Sequence, residues 1–372
     1  MSVEVKVPEF RVPQAQTHPE PASRREKSAL DPAMDANNGG RSEGHSPVRR
    51  FLLARGNSAL ADRGFQWLMV LCAMSIFGIV LLIVWELLEG SHLAWSNFHL
   101  GFFFSSYTDY AGQKTYWDPV NGQFSALPFV YGTLVSSILA LMIAVPLAIG
   151  VAIFLTEMCP RILRGPLAFL TELLAAIPSI IYGLWAVFEL VPLLREHVNP
   201  LLTRTLGWTG FFSDDNPTGL GFVAAAVILA IMILPIISSL TREVMTAVPH
   251  SQREAVLALG ATRWEMIRMG VLRNARIGIV GAIILGLGRA LGETMAVTMV
   301  IGNTPEIHKS LLSNGSSMAS VIANEFTEAV SDVHRTALIE IGLALFIVTI
   351  IVNALAQLLM WAVTRGAPSQ AH

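Results

Sequence analysis

Six long apolar runs after residue 65 constrain the fold of this chain more than any other feature. Each has about the 20 residues that an α-helix needs to cross a bilayer core about 30 Å thick. Each also greatly exceeds the roughly 10 residues of a membrane β-strand, and none alternates strictly. The runs are approximately 66–88, 127–155, 167–192, 219–240, 277–302 and 338–363. The sequence therefore predicts an all-α membrane protein with six transmembrane helices, several of them kinked at internal prolines.

The composition argues against a water-soluble enzyme or a nucleic-acid-binding protein. Of 372 residues, 53% are hydrophobic and 14% are charged, whereas soluble domains carry roughly 25% charged residues. The formal net charge of -2 leaves no basic excess for nucleic acid. The two cysteines, Cys72 and Cys159, are too few for a disulfide framework or a zinc site of the usual spacing.

The ends of the chain differ from its apolar centre. Residues 1–63 are rich in proline and in charges of both signs and contain no core-forming run, so we expect a disordered cytoplasmic arm. The first 30 residues have no apolar stretch of signal-peptide length, so no cleavable signal is expected. The predicted segments are the arm, a first transmembrane helix at 64–88, an extracytoplasmic segment at 89–126, a core at 127–365 and a cytoplasmic tail at 366–372.

Lysine and arginine counts predict the orientation. With the N-terminus in the cytoplasm, the inside segments hold nineteen of them and the outside segments five, and Arg289 lies inside a membrane run. Without the arm the split is nine to five, and the loop 241–276 contributes six of the nine. The excess of positive charge on the inner side predicts that both termini are cytoplasmic.

The loop 241–276 has its own helix signals. Ser251-Gln252-Arg253-Glu254 matches a capping box, in which the first and fourth side chains bind each other's backbone amides. Gly260 can adopt the left-handed conformation that ends a helix. A second capping box follows at Thr262-Arg263-Trp264-Glu265. The pattern predicts a short helix, a glycine turn and another helix, although a plain connector on the membrane interface is an alternative.

The same loop resembles the EAA loop of the membrane subunits of binding-protein-dependent ABC importers. The resemblance rests on Glu254 and Ala255, on Gly260 six residues after the glutamate, and on Leu272 twelve residues further on. In that family the short helix before the glycine docks in a groove of a cytoplasmic ATPase, which implies that Glu254, Ala255 and Gly260 couple this chain to an ATPase. The sequence departs from the family pattern at three positions, with Val256 for alanine, Gly270 for isoleucine and Arg273 for proline.

Two charged residues lie inside the fifth apolar run. Arg289 is its thirteenth residue, near the middle of the bilayer, where an arginine costs about 2.5–3.5 kcal/mol. Glu293, four residues later, would share its face of a continuous helix. One interpretation is an internal ion pair that holds helices together; the other is a substrate path for an oxyanion, which guanidinium geometry suits. The glycines Gly286, Gly288 and Gly292 would let another helix approach this face.

Three motifs narrow the resemblance. They are Arg-Ala-Leu-Gly-Glu-Thr-Met-Ala-Val from 289, Ala-Ala-Ile-Pro-Ser-Ile-Ile-Tyr-Gly at 175–183 and Ala-Ser-Val-Ile-Ala-Asn-Glu-Phe-Thr-Glu-Ala at 319–329. Together they are similar to the PstC-type permeases of bacterial high-affinity phosphate importers, over about 65–365. The resemblance implies a type I ABC importer permease fold in the bacterial inner membrane, with a core ABC permease domain at 127–365 and with Arg289 and Glu293 important for phosphate transport. It also implies as partners a PstA-type sister permease, two ATPase subunits and an extracytoplasmic phosphate-binding protein.

The source of energy must then be another chain. None of the four lysines follows a glycine, so the sequence has no phosphate-binding P-loop. ATP and magnesium are expected on the ATPase partner, with no cofactor on this chain. Two alternatives remain: an ion-coupled secondary anion transporter that uses Arg289 and Glu293 directly, and an intramembrane enzyme. A secondary transporter has no need of a rigid docking helix, and the membrane runs offer an enzyme no nucleophile-base pair or metal cluster.

Overall fold

The structure is a computed structural model that describes residues 58–108, 114–213 and 216–365. The predicted tail and residues 1–57 of the predicted arm lie outside these ranges. Helix α1 (Ser58–Gly90) begins inside the stretch assigned to the arm, and the chain divides into two units within this helix, at Ser75. The described residues are mainly helical, as predicted, and their strands are confined to two short hairpins.

Within the part of the chain that the structure describes, five helices are long and apolar enough to cross a membrane. They are α1, α4 (Leu127–Met158), α7 (Phe222–Thr246), α9 (Arg263–Leu291) and α12 (Asp332–Arg365). A sixth span is broken into α5 (Arg161–Ala176) and α6 (Ser179–Thr209), which meet at 90°. Counting this bent pair as one span gives the six that the sequence predicts.

The kink predicted for the span over 167–192 is a full break, and it lies at Pro178. The ring of a proline pushes the preceding residue out of the helical conformation, and Ile177 is extended, with φ -67° and ψ 130°. Pro178 is also extended, and α6 starts immediately after it. The hydroxyl of Tyr182 donates to the carbonyl oxygen of Leu174 at 2.7 Å, which bridges the two sides of the break.

Other prolines are accommodated without a break. Pro146 lies inside α4 and Pro235 inside α7, and both helices continue through them. The last turn of α4, Phe154–Met158, is widened to a π-helical turn. Neighbouring helices can tolerate such local irregularities when the freed backbone groups are satisfied inside the protein.

The segment between α1 and α4 forms a small layer of its own. It contains α2 (His92–Phe98), α3 (Gly101–Phe104) and two antiparallel hairpins, in which β1 (Tyr107–Thr108) pairs with β2 (Lys114–Thr115) and β3 (Trp117–Asp118) pairs with β4 (Gln123–Phe124). Asp118 closes the second hairpin by accepting from the Val120 and Asn121 amides at 2.9 and 3.1 Å. Hydrogen bonds from Asn121 and Val120 hold the pKa of this carboxyl below its usual range.

This layer is attached to the last two helices, α11 (Met318–Glu325) and α12. The indole Nε1 of Trp117 donates to Glu325 Oε2 at 2.8 Å, and His334 Nε2 lies 2.9 Å from the same oxygen. The imidazole of His334 stacks on Phe124 with ring centroids 5.4 Å apart. The motif at 319–329 therefore supplies, through the half-buried Glu325, an anchor for the hairpin.

Two short helices remain, α8 (His250–Ala258) and α10 (Met295–Val300). Apolar side chains of α4, α6, α7, α9 and α10 form the largest core, in which Phe222, Ile228, Ile233 and Ile237 of α7 are fully buried. A second cluster lies around Phe124, Phe129 and Ile341 near the hairpins. A third lies around Met245 and Val271, at the end of the helices that carries α8.

Candidate functional site

Helix α8 is present where the loop signals predict a helix, but its start differs. The capping box at Ser251 is wrong: α8 begins at His250, with Pro249 preceding it. Pro249 has φ -59° and ψ 143°, and its carbonyl oxygen accepts from the Gln252 amide at 3.2 Å. Because the fixed φ of proline sets the entry to the helix, Ser251 falls inside the first turn, where its hydroxyl is not at a capping position.

The turn and the second capping box are confirmed. Gly260 has φ +82°, and its amide donates to the Leu257 carbonyl oxygen at 3.0 Å. The Thr262 amide donates to Glu265 Oε2 at 2.8 Å, and the Glu265 amide donates to Thr262 Oγ1 at 3.3 Å. The predicted helix, glycine turn and second helix are therefore all present, with α9 starting at Arg263.

Helix α8 has one exposed face and one face packed against α9. Glu254, Ala255, Leu257, Ala258 and Leu259 are exposed, Leu259 to 88%. These residues include the predicted coupling residues Glu254 and Ala255. An exposed row with four apolar or small side chains on a charged loop is typical of a docking surface.

The packed face explains two departures from the EAA pattern. A Cβ atom at Gly270 would lie 3.4 Å from Cγ2 of Val256 and 3.6 Å from the Gln252 carbonyl oxygen. The larger Val256 and the missing side chain at Gly270 therefore fit each other across the α8–α9 contact. Asn274 Nδ2 donates to Gln252 Oε1 at 2.7 Å and to the Gly270 carbonyl oxygen at 2.7 Å, which adds a polar link.

The third departure, Arg273, leaves α9 unbroken. The helix passes through it, and the irregularity lies just before it, in the π-helical stretch Met266–Leu272. The Arg273 side chain is exposed.

Arg289 and Glu293 do not share one helix face. The predicted continuous helix over 277–302 is wrong, because α9 ends at Leu291 and α10 begins at Met295. Among the described residues the two side chains form no ion pair with each other. Glu293 is buried, at 8% exposure, and its Oε1 accepts from the Ala296 amide at 3.4 Å. Its carboxylate thus accepts a hydrogen bond from one of the amides at the start of α10 that have no partner within the helix. The helix dipole also favours negative charge at this position.

Arg289 lies in the last turn of α9, and its side chain is exposed. A Cβ atom at Gly288 would meet nothing within 4 Å, and one at Gly292 would meet only the Gly288 carbonyl oxygen at 3.7 Å. Gly286 is different, since a Cβ atom there would be 2.7 Å from Ile237 of α7. The predicted close helix approach therefore holds for Gly286, whereas Gly288, Arg289 and Gly292 form an open polar surface on this chain.

Helix α10, which follows the break, packs against α6. A Cβ atom at Gly183 would lie 2.8 Å from Met299 Sδ and 3.0 Å from Ala296 Cα. The motif at 175–183 therefore combines a helix break at Pro178 with a close approach at Gly183. These two features fix α10, and with it Glu293, beside the broken span.

A cavity of about 630 Å³ lies at the α8 end of the helices. Its lining includes Arg164, Glu172, Arg242 and Glu243. Arg242 Nη2 is 2.7 Å from Glu172 Oε1, and Arg164 Nη2 donates to the Thr156 carbonyl oxygen at 2.8 Å. The lining therefore includes charged side chains, with two arginines held in place by their neighbours.

Sequence reasoning did not assign a role to four polar residues that the structure places at packed positions. Gln252 and Asn274 link α8 to α9, and Arg253 is 9% exposed. Glu340 on α12 is 1% exposed, and neither of its carboxylate oxygens has a hydrogen-bond partner among the described residues. The sequence could have pointed to Glu340, because it is a single carboxylate inside an apolar run. The packed positions of Gln252, Arg253 and Asn274 follow only from the way α8 packs.

A helical core with several candidate spans, one of them broken, and a short exposed helix fit the membrane component of a transport system. The family described as binding-protein-dependent transport system inner membrane component matches residues 144–365. The chain belongs to this family. Membership confirms that it is a transport subunit and not an enzyme, and it places the chain in the inner membrane.

Individual relatives show which members of this family the chain is similar to. The phosphate transport system permease protein PstC of Mesorhizobium japonicum is 44% identical over 326 residues, covering 86% of this chain and 94% of that protein. The protein of the same name from Haemophilus influenzae is 48% identical over 250 residues, covering 66% and 79%. The resemblance to PstC-type permeases predicted from the three motifs is confirmed by these matches.

A solved structure supports the fold. A bacterial ABC transporter involved in the import of the acidic polysaccharide alginate matches with a TM-score of 0.53 and 16% identity, covering 82% of this chain and 99% of that chain. At this identity the likeness concerns the fold alone, which is that of an ABC importer permease.

Proposed function

We propose that this chain is the translocation subunit of an ATP-driven ABC importer that moves inorganic phosphate into the cell. The observation that carries the proposal is the 44% identity to a phosphate permease over 86% of the chain. The exposed Arg289 in a spanning helix supports it, because a guanidinium offers planar, bidentate hydrogen bonds to an oxyanion.

The broken helix around Arg289 fits a substrate path. Non-helical backbone at membrane depth is tolerated only where it is buried in protein or lines a water-filled cavity. Residues 292–294 are such a segment, and Gly292 at its start is exposed on this chain. We infer that the open surface of Gly288, Arg289 and Gly292 faces the sister permease, with the path between the two subunits.

Glu293 has a different part in this arrangement. Its carboxylate is buried and bound to the start of α10, so it positions the break and does not neutralise Arg289 directly. Since Arg289 has no ion pair among the described residues, its guanidinium is free to meet a passing anion. In this proposal Glu293 supports the substrate path indirectly, because it fixes the conformation of the non-helical segment 292–294 that follows Arg289.

The exposed face of α8 is the proposed contact with the ATPase. Glu254, Ala255 and Leu259 project from a helix that Gly260 ends and that α9 supports from behind. The assembly is proposed to contain a PstA-type sister permease, two ATPase subunits that bind ATP and magnesium, and an extracytoplasmic phosphate-binding protein. The chain itself would bind no cofactor, and both termini and α8 would lie on the cytoplasmic side, where the lysine and arginine excess falls.

Reconstitution of this assembly in vesicles tests the proposal. We expect labelled phosphate to accumulate only when ATP and the ATPase subunits are both present. The control is the same assembly with the P-loop lysine of the ATPase replaced, which should remove uptake. Uptake that persists with the inactive ATPase under an ion gradient would contradict the proposal and favour an ion-coupled secondary transporter.

A further inference from the structure

Arg253 lies next to Glu254 in the docking helix, but its side chain points the other way. Glu254 and Ala255 are exposed, whereas Arg253 is 9% exposed. A buried arginine on a short surface helix requires several acceptors, because its five N–H donors lose their water. The groups that bind the Arg253 side chain therefore show which parts of the protein hold α8 in place.

Three oxygens at or just after the C-terminal ends of two other helices surround the guanidinium. Arg253 Nη2 donates to the Met245 carbonyl oxygen at 2.8 Å, and Nη1 donates to the Val248 carbonyl oxygen at 2.9 Å. Met245 lies in the last turn of α7, the most buried of the candidate spans, and Val248 lies two residues after the end of that helix. Arg253 Nη2 also forms an ion pair with Glu157 Oε1 at 3.2 Å.

Glu157 belongs to the π-helical last turn of α4, and its side chain is 10% exposed. One planar group thus joins α8 to the ends of α4 and α7, the two helices whose packing forms the centre of the largest core. The carbonyl oxygens at a helix C-terminus are otherwise unpaired and carry partial negative charge. A guanidinium can donate to two carbonyl oxygens and also place its positive charge beside a carboxylate, which a lysine ammonium cannot do in the same plane.

We propose that Arg253 is the positioning residue that transmits displacement of α8 to α4 and α7, through the contact with Glu157 and with the carbonyl oxygens of Met245 and Val248. The inference rests on the proposed function, in which α8 receives the movement of the ATPase. The outward face of α8 then binds the ATPase, while the inward Arg253 couples that motion to the helices that shape the path. Val256, Gly270 and Asn274 hold α8 against α9, so Arg253 supplies the separate link to α4 and α7.

The test compares Arg253→Met, Arg253→Lys and the double variant Arg253→Met/Glu157→Met in the reconstituted importer. The double variant removes both buried charges, and replacing a whole buried pair by apolar residues is often neutral for stability. It therefore keeps the test valid if Arg253→Met alone fails to assemble. Arg268→Met is the matched control. The Arg268 side chain is exposed on the same loop, and it forms no hydrogen bond or ion pair among the described residues.

Two measurements are made on the assembled complex: phosphate imported per ATP hydrolysed, and hydrogen exchange of the α8 amides. We expect the phosphate imported per ATP hydrolysed to fall about fivefold or more in the double variant, since about fivefold is the smallest typical effect of coupling between two sites. We also expect faster hydrogen exchange of the amides over 250–258. Arg253→Lys should fall in between, and Arg268→Met should match the wild type. An unchanged ratio and unchanged exchange in the double variant would overturn the inference, as would equal losses in Arg268→Met.

The two measurements separate this inference from the proposed function. If the wild-type assembly hydrolyses ATP but imports no phosphate, the proposed function fails. The exchange of the α8 amides would still decide the inference, because it does not depend on the substrate. Protected amides in the double variant would contradict it in that case as well.

Discussion

At the scale of single residues, Arg289 is the group on which substrate transport is proposed to depend. It is an exposed cation in a spanning helix, and in this chain it has no ion pair with Glu293. The structure thus weakens the interpretation of an internal ion pair, which requires the two side chains to meet. Glu293 instead accepts from the Ala296 amide, so the two residues have different tasks.

Arg289→Gln should reduce phosphate uptake roughly 10-fold to 100-fold, because a hydrogen bond to a charged group contributes about 1.5–3 kcal/mol. The amount of assembled complex in the membrane should not fall, since glutamine removes a charge that is costly in a bilayer. Arg289→Lys should restore uptake partly, because it keeps the charge but not the planar fork. Uptake and membrane abundance are measured together.

The control for this prediction is the exchanged pair, Arg289→Glu with Glu293→Arg. An arginine at 293 cannot accept from the Ala296 amide, so we expect the exchanged pair to remain inactive. Normal uptake in the exchanged pair would show that the two residues act as a structural ion pair.

Gly260 gives a second prediction at this scale. Its φ of +82° is unfavourable for a β-branched residue, although a Cβ atom there would meet nothing within 4 Å. Gly260→Val should therefore cost about 1–3 kcal/mol of backbone strain and displace the turn after α8, with loss of ATP-driven uptake. Gly260→Asn is the matched control, because asparagine adopts this conformation more readily; we expect it to retain most of the uptake. Equal uptake by the two variants would argue against a requirement for the left-handed turn.

At the scale of elements, the contact between α8 and α9 shows how two unusual residues can compensate each other. Val256 occupies space that the absent side chain of Gly270 leaves open. Compared with the EAA pattern, each position looks like a departure when considered alone. Together they retain a close packing of the docking helix on the membrane helix that follows it.

Gly270→Ile should overpack this contact at a cost of about 1–3 kcal/mol. We expect faster hydrogen exchange over 250–258 and reduced uptake. Adding Val256→Ala restores the family's pair of side chains and should recover both properties. A double variant no better than Gly270→Ile would show that the two positions do not compensate each other.

The hairpin that carries Asp118 offers a pH dependence at the same scale. The pKa of Asp118 is lowered by hydrogen bonds from Asn121 and Val120, so its contribution to the hairpin is present above the pKa of the unfolded chain. That contribution should disappear as the pH falls through the lower pKa of the folded state. Hydrogen exchange at the Asn121 amide, followed against pH with Asp118→Asn as the control, measures it; a wild-type profile identical to that of Asp118→Asn would contradict the prediction.

At the scale of the whole molecule, the transport core and the N-terminal arm are expected to be separable. The arm is predicted to be disordered from its composition, and α1 begins at Ser58. Deletion of residues 2–57 should leave membrane insertion and phosphate uptake nearly intact. Uptake per assembled complex is the measurement, and loss of insertion would show that the arm is needed for folding.

The sequence by itself was sufficient for the class of fold, the number of spans and the family. Apolar runs of bilayer length leave a chain few alternatives, because every backbone amide in lipid must be paired within a helix. The glycine turn at Gly260 and the capping box at Thr262 were also predictable, since both depend on residues that are close in sequence. The capping-box pattern failed to predict the helix start at Ser251, because Pro249, two residues earlier, sets the start of α8.

Only the tertiary structure decided where the spans break and which polar groups meet. A run of apolar residues gives the same hydropathy whether the helix continues or ends, and prolines lie both at a break, Pro178, and inside continuous helices, Pro146 and Pro235. Where a span breaks, there or after Leu291, therefore depends on what packs beside it. The separation of Arg289 from Glu293, and the meeting of Arg253 with Glu157, 96 positions away, follow from the arrangement of helices in space. Contacts between residues so far apart depend on packing that a periodicity along the chain does not contain.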